Sequence, residues 1–341
     1  MNAALRFCVI IFWGSMSQKT ITKFFLFVIS FSLISLIFSA CSSASSSEKT
    51  NAANSNKKSP SDYAAPQTIG KIESKEVTES SGIVASRCNE NALWTHNDSG
   101  NQNLIYALNI KGEHLGAWRV TGSKNKDWEG VGTFQNAKGE CFLYLGDIGN
   151  NARARGELII YRVKEPRISQ KNKSADKNNP ETTEAAEAIK INYPDFRHDA
   201  ETLIVHPNTG DIYILTKRIS GAAGVYRLKA NYATDKTNTL EKIGDFSVPA
   251  IPNGFLTGGD VSADGKRVVI CDYFNAYEIM LPENAKKFDE IWQQKPVVIQ
   301  LGERQQGEAI CYSLDGDSIF ATSEKKNSPI IEVKRQKPAR E

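Results

Sequence analysis

Ser81, Glu129, Glu201 and Glu308 each open a short apolar segment, in Ser81-Gly82-Ile83, Glu129-Gly130-Val131, Glu201-Thr202-Leu203 and Glu308-Ala309-Ile310. Gly259-Asp260-Val261 has the same outline without a side-chain oxygen at its first position. If these segments meet around one axis, three carboxylates and a hydroxyl converge. Like charges held that close repel, and burial favours their protonated forms unless a cation neutralises them. Hard oxygen ligands suit Ca2+, whose coordination shell is large and flexible, better than Mg2+, which demands stricter geometry. The competing arrangement pairs the same carboxylates with Lys or Arg from neighbouring segments.

A second group of chemically capable residues follows the apolar runs. It comprises Asp98, Arg155, Arg218 and His198, with His96, Asp147, Asp199, Asp272, Arg153 and Lys217 beside them in sequence. Guanidinium groups bind phosphate or carboxylate, while Asp98 or either histidine could move a proton. Equally, Asp98, Asp147 and Asp272 could cap turns and pair with Arg155 and Arg218. The chain has no nucleophile elbow, phosphate-cradling glycine loop or zinc signature.

Positioning these groups requires a repeated unit. After each signature comes turn chemistry, as in Lys138-Gly139, Asn208-Thr209-Gly210, Asp264-Gly265 and Asp315-Gly316. Such residues supply the positive φ angles of tight hairpins. A second strand (Phe142-Leu143-Tyr144-Leu145, Ile212-Tyr213-Ile214-Leu215) and a third, usually containing Tyr, complete the pattern. A fourth strand follows in all but the last unit. Five such units predict an all-β, five-bladed β-propeller spanning 67–335. Residues 67–72 resemble the fourth strand at 298–302, so the N-terminal strand is expected to complete the last blade and remove its exposed edge. A six-bladed ring would need a further unit within 165–187. That stretch is polar and reads instead as a surface insertion. Trp94, Trp118 and Trp128 are expected to pack between blades.

The order Ser81, Glu129, Glu201, a small residue, then Glu308 resembles the central calcium ring of the five-bladed calcium-activated nucleotidases, or apyrases. Asn97-Asp98-Ser99-Gly100 before Leu104-Ile105-Tyr106 is similar to the acidic turn after that family's first inner strand. The resemblance implies a tunnel Ca2+ held by Ser81, Glu129, Glu201 and Glu308. Water or Thr257 would fill the place that Gly259 leaves. It further implies a Ca2+-dependent hydrolase of nucleotides or phosphate esters. Arg155 and Arg218 would then stabilise phosphoryl charge, and Asp98 or His198 would act on water. The chain departs from the family where Asn97-Asp98-Ser99 replaces an acidic pair followed by Arg. Segments such as Gly146-Asp147-Ile148-Gly149-Asn150 also resemble uncharacterised bacterial secreted propeller lipoproteins. The first function expected is therefore non-catalytic binding of a small ligand, glycan or protein at the rim, with phosphate-ester hydrolysis as the alternative.

At the N-terminus, Lys19 and Lys23 precede the apolar run 24–38 and then Ser39-Ala40-Cys41, the outline of a secretory signal. Small residues before a Cys resemble the lipobox of bacterial lipoproteins. Residues 1–40 are thus expected to be a signal peptide starting at Met1 or Met16, with Cys41 lipidated. An uncleaved membrane anchor is the less favoured reading, since the run is short. Residues 41–66, rich in Ser, Asn, Ala and Lys, read as a disordered tether. The expected location is the bacterial cell envelope, anchored through the lipid at the outer membrane. A net charge of +3 gives no reason to expect a nucleic-acid polymer as partner. Cys88, Cys141, Cys271 and Cys311 show no metal-like spacing, and they are expected to behave as small apolar strand residues rather than as disulfides.

Overall fold

The computed structural model describes residues 62–336. The expected signal peptide with Met16, the expected lipidation site Cys41, and the expected tether up to residue 61 lie outside the described residues.

Five antiparallel sheets form the blades of a five-bladed β-propeller. Their inner strands are Ser80–Ala85, Trp128–Gln135, Ala200–Val205, Gly258–Val261 and Ala309–Tyr312. Alternation along each blade follows from β-branched and aromatic residues facing both neighbouring blades. Every residue of Ser80–Ala85 and Ala200–Val205 is buried. Strands covered on both faces read as continuous apolar runs, which is how the second strands appear in the sequence. Hairpins turn at Gly139, Gly210, Gly265 and Gly316, with φ of 77, 75, 72 and 70°. In the first blade Asn91 takes the equivalent left-handed conformation at φ 56°, as Asn can.

Each gap between neighbouring blades holds its own apolar cluster, so there are five interfaces and no single core. The third-strand tyrosines Tyr106, Tyr161, Tyr226 and Tyr277 are all buried in these gaps. Trp94, Trp118 and Trp128 pack between the first two blades, with Trp94 and Trp118 edge-on at 5.1 Å.

The ring closes as expected. Gln67–Lys71 pairs antiparallel with the last strand, Pro329–Lys334, as the fourth strand of blade five. Pairing extends further back than the tether expectation allowed. Tyr63 bridges Arg335 and is buried, and its hydroxyl donates to Glu278 Oε1 at 2.6 Å. Tyr312 donates to the same oxygen at 2.8 Å. A single buried carboxylate therefore ties the N-terminal segment to blades four and five.

The polar segment 165–187 lies between the third and fourth strands of blade two. It contains the short helical turn Gln170–Ser174, and Glu181–Thr182 runs parallel to the outer strand His114–Arg119 of blade one. It thereby covers an edge that would otherwise template aggregation. Its root is Glu165, a buried carboxylate that accepts from Asn89 Nδ2 at 2.8 Å and Trp94 Nε1 at 3.0 Å.

The cysteine expectation holds for two residues and fails for two. Cys271 and Cys311 are free and buried. Cys88 and Cys141 form a disulfide between the turns of blades one and two, 53 residues apart in sequence. The repeat brings equivalent turns of adjacent blades together at one end of the ring, which spacing alone does not reveal.

Two consequences can be measured. A chain lacking 67–73 exposes a blade edge and should aggregate, whereas a chain lacking 42–60 should keep the wild-type melting temperature. In the chain-entropy picture the disulfide contributes about 4 kcal/mol. Cys88→Ser should therefore lower the urea midpoint, and dithiothreitol should then have no further effect.

Candidate metal centre

The inner strands place one residue per blade at the tunnel mouth, and local irregularity aims it. In blades one, two and three the pairing register slips between Ser80 and Gly82, Trp128 and Val131, and Ala200 and Thr202. The residues left inside these β-bulges include Ser81, Glu129 and Glu201. A bulge re-aims the side chain it carries. In blades four and five the corresponding residues stand just ahead of the paired segments, as Thr257 and Glu308.

The fourth position corrects the sequence reading. Gly259 pairs with Ile270 inside the strand, whereas Gly258, paired with Cys271, occupies the place that Ala309 holds opposite Thr322. Thr257 is therefore the ring residue of blade four, two positions earlier than expected. It is fully buried, and its hydroxyl donates to Gly307 O at 2.9 Å. The pair Thr257-Gly258 also matches Ser81-Gly82 and Glu129-Gly130 better than Gly259-Asp260 does.

Glu129, Glu201 and Glu308 are all buried, but their surroundings differ. Glu201 Oε1 receives the Lys217 ammonium, which also lies 4.6 Å from the Phe255 ring centroid. Its Oε2 is buried with no hydrogen-bond partner among the described residues. Glu308 Oε1 accepts from Gln306 at 3.1 Å. Glu129 Oε2 accepts only from the Ser81 hydroxyl, at 2.7 Å, and no cation pairs with it among the described ion pairs. Burial, then the negative charge of Glu201 and Asp98, pushes the Glu129 carboxyl well above its usual range. Burial raises Glu201 in the same way, against the pull of Lys217.

Asp98 and Asp127 join Glu129, with a carboxylate oxygen from each lying within 4.8 Å of the others. Asp98 is pushed up to about 6, chiefly by burial and further by Asp127, Glu308 and Glu79. Burial also raises Asp127, followed by the charge of Asp199. Beside Glu308, Glu324 is pushed up to about 8 by burial and by its neighbour. Gly149 makes this crowding possible. A Cβ there would lie 2.5 Å from Asp127 Cγ and 2.7 Å from Glu129 Oε1. The Gly146-Asp147-Ile148-Gly149-Asn150 segment thus forms one wall of the cluster.

The four rim residues do not act as one group. Asp98 faces the cluster. Arg155 is a strut: its Nη2 meets Asp147 Oδ1 at 2.8 Å and its Nη1 donates to Gly149 O at 2.9 Å. His198 Nε2 lies 3.0 Å from both Asp195 Oδ1 and the Tyr226 hydroxyl. Arg218 Nε donates to Ser220 O at 3.3 Å. His96 is completely buried, held down at about 4 by desolvation, and therefore neutral. Asp272 does cap its turn, accepting from Phe274 N and Asn275 N at 2.7 Å each.

Oxygen donors dominate the mouth, which fits a hard cation. The buried, unpartnered Glu201 oxygen and the room left by Gly149 fit one as well. Lys217 realises for Glu201 the competing arrangement in which a ring carboxylate pairs with Lys, and Asp127 is a cation-ligand candidate that the ring signature does not mark. Asp127 lies two residues before Glu129, and Lys217 directly follows the second strand of its blade. No family model matches the chain, and no curated protein matches it.

Carboxyls raised in the folded state stabilise it while protonated and lose that contribution as pH rises through their folded values. With chelator present, the melting temperature should therefore fall between pH 5 and pH 8, across the values near 6 for Asp98 and 8 for Glu324. Glu129→Gln removes one repelling charge and should flatten this decline in differential scanning fluorimetry. An unchanged slope would show that the repulsion lies elsewhere.

Proposed function

We propose that the protein is a Ca2+-bearing β-propeller of the bacterial cell envelope, anchored through lipidated Cys41, that binds a ligand at its rim without turning it over. The observation carrying this reading is the excess of buried and half-buried carboxylates at one tunnel mouth over the cations paired with them among the described residues. Lys217 answers Glu201 and Arg155 answers Asp147, which leaves Asp98, Asp127 and Glu129 as the residues that would hold the ion. Ser81 and Glu308 stand beside them and would complete or orient the set. A bound Ca2+ supplies positive charge there, and it can offer open coordination positions to an anionic or hydroxyl-bearing ligand.

The hydrolase alternative has less support. Phosphoryl transfer relies on preorganised positive groups aimed at developing charge. Arg155 is already committed to Asp147 and Gly149, and His198 is committed to Asp195 and Tyr226. Asp98 faces the cluster, and Arg218 donates to Ser220 O on the rim.

Isothermal titration with Ca2+ should give stoichiometric binding to chelator-treated protein, and Ca2+ should raise the melting temperature by mass action. Asp127→Asn and Glu129→Gln should each weaken binding at least tenfold. Absence of any shift, together with no metal by elemental analysis after mild purification, would return the carboxylates to a purely structural role. Calcium-dependent phosphate release from nucleotides or phosphate esters, abolished by Arg155→Ala, would restore the hydrolase reading.

A further inference from the structure

The carboxylate face carries a second feature that the cation does not use. Phe196, Ile219, Ile251 and Phe274 are 76, 78, 101 and 68 % exposed. Phe196 and Ile251 lie on the loops entering the inner strands of blades three and four. Ile219 and Phe274 lie on the turns that leave the second strands of the same blades. Inner strands start, and second strands end, at the tunnel mouth, so all four tips project from one face.

These loops are tied into a continuous arc. Arg197 Nη1 donates to Ala154 O at 2.8 Å, joining the loops that precede and follow the outer half of blade two. Arg218 N donates to Gly254 O at 2.7 Å. The gap there is so narrow that a Cβ on Gly254 would lie 2.3 Å from Gly221 O. Phe255 and Tyr273 stack edge to face at 5.0 Å. The supports are packed while the tips are bare. Exposed apolar side chains on a braced framework mark a contact surface.

Arginines flank the two blade-three tips and the adjoining blade-two loop. Arg197 follows Phe196, Arg218 precedes Ile219, and Arg153 is exposed on the adjoining blade-two loop. The guanidinium bonds of Arg197 and Arg218 go to the backbone carbonyls of Ala154 and Ser220, leaving their charge uncompensated by those contacts. A projecting surface of this kind does not enclose a small molecule. A cavity of about 540 Å³ lies at the opposite end of the ring, beside Cys88 and Cys141. Apolar tips beside arginines instead match a bilayer surface, where the tips enter the headgroup boundary and cations meet lipid phosphates.

We infer that this arc docks on an anionic phospholipid surface. Phe196, Ile219, Ile251 and Phe274 insert among the headgroups, and Arg153, Arg197 and Arg218 contact phosphates. Docking stands apart from the cation reading. The two meet only in the repulsion that an unneutralised carboxylate cluster exerts on anionic lipid, which Ca2+ relieves.

Residues 58–341 form one compact unit containing the closed ring, so this chain tests the surface without the apolar N-terminal run. It should sediment with vesicles of phosphatidylcholine and phosphatidylglycerol and not with phosphatidylcholine alone. Added Ca2+ should strengthen that binding, and added salt should weaken it. The double substitutions Phe196→Ser/Ile251→Ser and Arg153→Gln/Arg218→Gln should each lower binding at least tenfold at an unchanged melting temperature. Equal binding to both vesicle types, no binding with or without Ca2+, or no loss in the variants would overturn the inference. A dimer in light scattering that both variants dissolve would also overturn it, assigning the surface to a second copy or protein partner. Anionic-vesicle binding that ignores Ca2+ but fails in the variants supports docking and counts against the cation.

Discussion

Neighbouring inner strands approach so closely around the axis that most side chains do not fit between them. A Cβ on Gly258 would lie 2.3 Å from Glu308 O, and one on Gly130 would lie 2.6 Å from Leu203 N. Contacts that short force backbone movement. This constraint places a small residue directly after the ring residue in blades one, two, four and five. The ring residue itself is then the last one free to reach the mouth. Architecture and site thus have one cause: packing five strands around a narrow axis delivers five side chains to one point.

Three of those side chains are glutamates, and the surroundings treat them unequally. Lys217, held against Phe255 and Tyr273, compensates Glu201 on the blade-three side. On the side of blades one and two, Asp98 and Asp127 add charge instead of removing it. Removing a single partner from a buried charge costs several kcal/mol, so a cluster held by hydroxyl and amide donors such as Ser81, with no ion pair among the described residues, is a standing cost to the fold. Proteins tolerate such a cost where binding or catalysis uses it. The off-axis imbalance, more than the ring, sets where negative charge is left without an ion pair among the described residues.

Strand order, turn positions and closure were legible because hairpins, alternation and repeat leave marks on consecutive residues. The fourth strands at Leu115 and Ile189 and the closing strand at Gln67 fall within a few residues of where the pattern puts them. Properties created by bringing blades together were less legible. Gly259 was aligned ahead of Thr257 because the aliphatic Val261 was matched before the glycine whose missing side chain matters. The Cys88–Cys141 disulfide joins two turns that are distant in sequence and adjacent only in the ring. Chain order leaves open whether Arg155 and His198 are free rim chemistry or structural partners; the ring decides it, with Asp147 and Gly149 holding the first and Asp195 and Tyr226 the second.

The mouth-side face therefore joins two regions of different mechanical character. Its centre is built from inner strands and bulges, with Glu129 buried in one bulge and Asp98 and Asp127 half-buried on the adjoining loops. Its periphery is built from loops whose bases are braced by Arg197, Arg218 and Gly254 while their apolar tips stand in solvent. A rigid centre selects by charge and geometry, because it cannot adapt to what it meets. A braced rim of separate tips selects by surface chemistry over a wide area, because each tip adds a small independent contribution. Lys217 belongs to both regions, pairing with Glu201 at the centre and lying over Phe255 and Tyr273 at the rim.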